Sequence, residues 1–285
     1  MRGGVTEMKK KIVTALVVIL VAGICLWAVF PFAWILSTSF KPASEVYTAP
    51  TLIPQNPTLD GYVSMLFSRA KQFDFRQWLF NSVFISLCTT AFSLVIAGLG
   101  GYGISRFRFR GRKILSYTIL MTQVLPGSLL IIPLYIIMNS LHLIDTLWAL
   151  IFAYTTFSVP FCTWMLKGFF DTIPQSLDDA ARVDGCNYLG AFFRVVLPLA
   201  KPGLLATGLF SFITGWNEYL YASVLVQRYE HWTITVGLAS FVGQYATDWA
   251  AVMAGATIIT VPVLILFLCL QKHLVSGMTA GAVKQ

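Results

Sequence analysis

Six stretches of this chain are long and apolar enough to cross a lipid bilayer, and no water-soluble fold of this size can bury them all. A crossing helix needs about 20 predominantly apolar residues. Residues 12–36 and 81–104 contain no charge. Residues 114–138 contain Pro126 and Pro133, and residues 147–166 contain Pro160. Residues 203–226 carry one acid, Glu218, and residues 249–270 contain Pro262. Prolines are tolerated in such spans when neighbouring helices satisfy the freed carbonyls. The remaining residues cannot coat a soluble domain: 11% of the chain is charged, against about 25% in a typical soluble domain. The expectation is an all-α integral membrane protein with six transmembrane helices. The first span follows Lys9, Lys10 and Lys11, as a signal peptide would. It is too long for an h-region, and Phe30-Pro31-Phe32-Ala33-Trp34 offers no small-residue cleavage site, so it reads as a retained helix.

Six spans put both termini on one side. With the N-terminus inside, the inner segments are 1–11, 105–113, 167–202 and 271–285, and they hold 15 of the 20 Lys and Arg residues. Lys41, Arg69, Lys71, Arg76 and Arg228 lie outside. Inner loops of membrane proteins carry the cationic excess, so both termini are expected in the cytoplasm. The net charge of +8 is therefore an orientation signal, and nucleic acid is not an expected partner. The cluster at 106–113, with Arg106, Arg108, Arg110, Arg112 and Lys113, reads as an anchor beside anionic lipid. The organisation expected is an N-terminal segment 1–11, a six-span body 12–270 and a tail 271–285, with outer segments 37–80 and 227–248.

Several function classes lose support. The five cysteines show no C-x-x-C spacing and the three histidines are far apart, so no metal is expected. No G-x-x-x-x-G-K-[ST] phosphate loop occurs, so the chain is not expected to hydrolyse ATP. A membrane-embedded enzyme would need a constellation of reactive groups, and an ion-coupled transporter would want several buried carboxylates. Glu218 alone supplies neither. No internal repeat points to an inverted-repeat transporter.

The inner segment 167–202 is the most patterned. Pro174 and Ser176 are helix-start signals, and Asp178 and Asp179 fall in the first turn, where the helix dipole favours anions. Leu177, Ala180, Ala181 and Asp184 share one face. Gly185 stands at a natural stop. A second short helix is expected over 189–196, ended by Pro198. Such a hairpin suits docking into a groove of another protein, or lying on the membrane surface, and the pattern alone leaves both open.

The string Asp179-Ala180-Ala181-x-x-Asp184-Gly185, followed by Val195-x-Leu197-Pro198, resembles the E-A-A-x-x-D-G…I-x-L-P loop of ABC-importer permeases. The leading Glu of that loop is Asp179 here. The resemblance continues through Pro31-Phe-x-Trp34, Ser39-Phe40-Lys41-Pro42, Asn81-Ser82, Tyr102-x-x-Ser105-Arg106 and Trp216-Asn217-Glu218. It ends on the tail Gly277-Met-Thr279-Ala280-Gly281-Ala282-Val283-Lys284, and it is nearest to the carbohydrate-uptake subgroup like maltose permease G. The resemblance implies a type I ABC importer permease architecture in a bacterial or archaeal cytoplasmic membrane. It implies import of sugars or oligosaccharides, or of another polar solute such as glycerol phosphate; an ion-coupled transporter stands outside the resemblance as the remaining alternative. It implies a second permease subunit, two ATP-binding subunits that hold ATP and magnesium, and an extracytoplasmic substrate-binding protein. This chain itself would hold no cofactor. Asp179, Ala180, Ala181, Asp184, Gly185, Leu197 and Pro198 would couple to the ATPase, and Thr279, Ala280, Gly281 and Lys284 would contact it from the tail.

Glu218 is the one ionisable residue inside a span. Two readings stay open: Trp216, Asn217, Glu218 and Tyr219 line the translocation path, or Glu218 pairs with a neighbouring group or sits near the interface. The aromatics of the outer segment 227–248 are likewise either a membrane-interface belt or, as the resemblance implies, a loop facing the binding protein. The residues concerned are Tyr229, His231, Trp232 and Tyr245.

Overall fold

The computed structural model describes residues 2–48, 50–67, 74–242 and 248–282, with side chains described for 10–48, 50–67, 74–242 and 248–271. Every regular segment among them is helical. Four helices are long and apolar enough to span a bilayer, and the number rises to six if each of two sharply bent pairs forms one span. The chain divides into two compact units, one of residues 1–68 and 241–258 and the other of residues 69–240 and 259–285.

The first unit contains α1 (Arg2–Thr38), α2 (Ala43–Thr48) and α3 (Asp60–Phe67). The most apolar stretch of α1 has no residue buried within the protein, so lipid or another chain must cover it. The outer segment after α1 is folded rather than a run of polar turns. Buried Lys41 donates to the Thr51 carbonyl and lies 5.4 Å from the Trp34 ring centroid. The Glu45 carboxylate accepts the N–H groups of Gln55 at 2.9 Å and Asn56 at 3.2 Å. The Ser39 and Tyr62 hydroxyls lie 2.7 Å apart. These charged and polar side chains are largely satisfied by backbone partners, which is what allows them to be buried.

The second unit is organised around α4 (Phe75–Arg106), α7 (Leu147–Thr172) and α11 (Lys201–Trp216). Small and hydroxylic residues let these helices approach closely, as expected in lipid. Ser158 on α7 donates to Ser211 on α11 at 2.7 Å, both fully buried. One apolar cluster joins Ile85 to Leu150, Tyr154, Tyr221 and Leu225. A second joins Tyr102, Leu166, Phe170, Phe192 and Val196. That second cluster ties the inner hairpin to the ends of α4 and α7.

Two expected single spans are broken. Residues 112–140 form α5 (Arg112–Met121) and α6 (Ile131–Ser140), separated by short 3₁₀ turns. The two halves bend by 94°. Leu125 is extended, with ψ 124°, because Pro126 disfavours a helical residue before it. Pro133, within the first turn of α6, causes no break. The expected span 203–226 ends at Trp216 and restarts as α12 (Leu220–Leu225). The long helix α14 (Trp249–Ala282) passes through Pro262 without a break.

Candidate functional site

The inner hairpin opens with α8 (Gln175–Val183), which follows Ile173 and Pro174, both extended with ψ of 124° and 133°. It closes at Gly185, whose φ of +88° is favourable only for glycine. Next come α9 (Tyr188–Ala191), a π-helical turn over Phe192–Val196 and α10 (Leu197–Leu199). The Asn187 side chain caps α9 by accepting from Gly190 N–H at 2.7 Å. Pro198 does not end the second helix as expected. The wider π turn, in which Leu197 N–H reaches back to Phe192 O, lets the chain continue through the proline. The bend falls at Ala200, just before Pro202, and is 81°.

The amphipathic face of α8 is split differently from the sequence expectation. Asp178 and Ala181 point inward and are buried, while Leu177, Asp179, Ala180, Val183 and Asp184 are exposed. Val183 is 87% exposed, an apolar side chain with nothing covering it. Ala181 therefore supports the hairpin from beneath and is not offered to a partner. Leu197 packs against the second apolar cluster, whereas Pro198 and Gly185 face outward.

The first-turn position of Asp178 predicts an acid that compensates the helix dipole, and the structure gives its carboxylate partners on α4 as well. Its carboxylate receives the Tyr102 hydroxyl at 2.7 Å and lies 3.0 Å from Arg106 Nε. The Arg106 and Asp178 side chains are 6% and 10% exposed. The contact is an ion pair by distance without good hydrogen-bond alignment. Arg106 also donates from Nη2 to Ile173 O at 3.0 Å, and Ser105 donates to Asp171 at 2.6 Å. Arg106 is thus engaged within the protein and is no lipid anchor, whereas Arg108 and Arg110, which follow it, are exposed. The Y-x-x-S-R string was visible in the sequence, but its partner was not.

Glu218 has a definite occupation. Its two carboxylate oxygens accept the N–H groups of Tyr221 at 2.8 Å and Ala222 at 3.0 Å, closing the first turn of α12. Its carbonyl accepts from Thr235 at 2.7 Å. Trp216 is buried and stacks on Phe212 at 5.6 Å, so it does not line an open path. Asn217 and Tyr219 are exposed.

The outer loop is held by a residue that sequence reasoning passed over. Asp145, in the turn before α7, has φ 61°. Its Oδ1 accepts the N–H groups of Gln227 and Arg228, each at 3.0 Å, and the Arg228 guanidinium reaches its Oδ2. Burial pushes the Asp145 carboxyl up, but these N–H donors and the guanidinium outweigh it and hold it below the usual carboxylate range. Beyond this clamp, a 3₁₀ turn (Tyr229–His231) leads to α13 (Ile234–Ala239). Trp78 Nε1 donates to Tyr229 O at 2.9 Å, and Asn81 donates to Glu230 O and Trp232 O at 2.8 and 2.9 Å. Trp232 is half-buried against Trp78 and Tyr229, so it fastens the loop instead of projecting from it. Asp74, Gln77, Trp78, Tyr229, Glu230 and His231 line a cavity of about 300 Å³. Tyr245 and Lys284 lie outside the described residues. Thr279, Ala280 and Gly281 belong to α14, with their side chains outside the description. No group of three or more potential metal ligands converges among the described residues.

Residues 90–280 match the family described as the binding-protein-dependent transport system inner membrane component. The diacetylchitobiose uptake system permease protein DasC of Streptomyces coelicolor is 36% identical over 258 residues, covering 90% of this chain and 92% of that protein. The trehalose/maltose transport system permease protein MalG of Thermococcus litoralis is 34% identical over 279 residues, covering 98% of each. Among solved structures, a bacterial ABC transporter involved in import of the acidic polysaccharide alginate matches with a TM-score of 0.79 at 25% identity. That match covers 92% of this chain and 96% of the other. A chain of the MetNI methionine ABC transporter, in inward-facing conformations, shares the fold with a TM-score of 0.58 at 15% identity, covering 71% of this chain and 95% of the other. The architecture is that of a type I ABC importer permease, and the chain belongs to the family of inner membrane components of binding-protein-dependent transport systems.

Proposed function

We propose that this chain is the permease subunit of an ATP-driven importer of sugars or oligosaccharides. The observation that carries this is the exposed outer face of α8, with Leu177, Val183 and Asp184 unpartnered, on a hairpin rooted in the ends of two long membrane helices. Such a face suits helix-in-groove docking. Two ATP-binding subunits, which hold ATP and magnesium, would dock there. A second permease subunit would complete the path, and a substrate-binding protein would approach the outer loop around Tyr229 and His231. The membrane is the bacterial or archaeal cytoplasmic membrane. Relatives named for uptake of diacetylchitobiose, galactooligosaccharides and trehalose/maltose support a glycosidic cargo.

In the mechanism this implies, the chain carries out no chemistry of its own. Closure of the ATPase pair pushes on α8, the hairpin passes the movement to α4 and α7, and the spans rock as rigid bodies. The test is reconstitution with the partner subunits and binding protein, offering trehalose, maltose and diacetylchitobiose in turn. One of these sugars should stimulate ATP hydrolysis and accumulate in the vesicle. Retention of no ATPase by the purified chain would overturn the reading.

A further inference from the structure

The last turn of α4 grips the chain on both sides of a hinge. The hinge is Ile173-Pro174, two extended residues between the end of α7 and the start of α8. On the α7 side, Ser105 donates to Asp171 and Arg106 Nη2 donates to the Ile173 carbonyl. On the α8 side, Arg106 Nε pairs with Asp178 and Tyr102 donates to the same carboxylate. One guanidinium therefore bridges the hinge. The guanidinium reaches the two sides with separate nitrogens, Nη2 to the Ile173 carbonyl and Nε to Asp178, a span that the single ammonium nitrogen of a lysine does not offer.

Burial makes the bridge stiff. The two charged side chains are almost fully enclosed, so separating them would leave unpaired charge in an apolar setting. The aromatic rings around them add to the enclosure. Tyr102 lies 4.7 Å from Phe192, and Phe192 lies 6.0 Å from Phe170. Those ring contacts do not use the charged groups, so they should hold the hairpin together when the ion pair is removed. The exposed docking face, with Leu177 and Val183, takes no part in the bridge.

We propose that Arg106, aided by Tyr102, is a positioning residue that makes α8 move as one body with the end of α4, so that a push on α8 reaches the membrane helices instead of being absorbed by rotation at Pro174. The proposal rests on the reading that α8 docks an ATPase. It assigns Asp178 to force transmission and leaves partner contact to its exposed neighbours Asp179 and Val183.

The test uses the full importer in lipid. Spin labels at Ser176 and Arg108, both exposed, report the distance between α8 and the end of α4 and need no transported ligand. The wild type should give one narrow distance, and Arg106→Gln and Asp178→Asn should each broaden it. Both variants should retain the ATPase and hydrolyse ATP, while uptake per ATP falls by about five-fold or more. The probe is whichever of radiolabelled trehalose, maltose or diacetylchitobiose stimulates the wild type. The double variant should fall by less than the two single losses combined, because the ion pair between the two residues is lost in each single variant. Tyr102→Phe keeps the ion pair, so it should assemble even where the others do not, with a smaller broadening. Unbroadened distances, or proportional loss of hydrolysis and uptake, would overturn the proposal alone. A wild-type chain that retains no ATPase would overturn the docking reading and this proposal with it.

Discussion

Glu218 Oε1 accepts the backbone N–H of Tyr221 at 2.8 Å, and the other carboxylate oxygen accepts that of Ala222 at 3.0 Å. The single acid within the spans is therefore placed where a helix has just broken and restarted. A helix start leaves N–H groups unsatisfied and favours negative charge. A carboxylate two residues ahead of the helix start, bonded to the second and third N–H groups of α12, meets both needs.

Glu218→Ala should lower the stability of the detergent-solubilised protein by about 1 kcal/mol, the usual cost of losing such a cap. Glu218→Gln keeps an acceptor and loses the charge, so it should cost less. Thermal unfolding of the two variants checks the order. A capping role also expects near-normal uptake by Glu218→Gln; abolished uptake at wild-type stability would return the residue to the translocation path.

The outer clamp is pH-sensitive in a defined direction. The Asp145 carboxyl is held below its ordinary value of 3.8 by the groups it accepts. Its contribution to stability is thus fully present above that ordinary value and is lost as pH falls through the lowered folded value. Amide exchange at Gln227 and Arg228, corrected for intrinsic pH dependence, should show protection that disappears only at strongly acidic pH. Asp145→Asn should remove part of that protection at neutral pH, and unchanged exchange would count against the clamp.

Gly185 closes α8 at φ +88°, with open space where a Cβ would stand. Gly185→Val should cost about 1–2 kcal/mol from backbone strain and displace the end of α8. Val183→Ala strains nothing, because the side chain is 87% exposed. Both should reduce co-purification of the ATPase, but only the first should lower the unfolding temperature. An unaltered yield of ATPase with Val183→Ala would remove that residue from the docking face.

Gly237 on α13 lies against the face of the Trp78 indole, closer than any Cβ could approach. Gly237→Ala should push the ring away, at about 1–3 kcal/mol for overpacking, and loosen its bond to Tyr229 O. Trp78→Phe tests the same attachment from the other side by removing the Nε1 donor. Each should speed proteolysis of the 229–233 segment relative to the wild type, and an unchanged cleavage rate would show that the segment is held by other contacts.

Much of the architecture was legible because the signals are local. A bilayer demands long apolar runs, and each run announces itself without reference to the rest of the chain. Pro174 and Gly185 mark the ends of α8 by their own backbone restrictions. The i, i+3, i+4 spacing identified an amphipathic helix there, but spacing alone does not say which side meets the protein. Ala181 shares the spacing of Leu177, Ala180 and Asp184 yet lies buried beneath the helix, and Trp216, for which the sequence leaves two readings open, is enclosed. The deeper difficulty is separation along the chain. Tyr102 and Asp178 are 76 residues apart, and Asp145 and Arg228 are 83 apart. The membrane class and the hairpin follow from local composition and spacing. Which charge is buried in a pair, which caps a helix and which faces a partner depend on the low-dielectric surroundings that packing creates, and only the tertiary structure decided them.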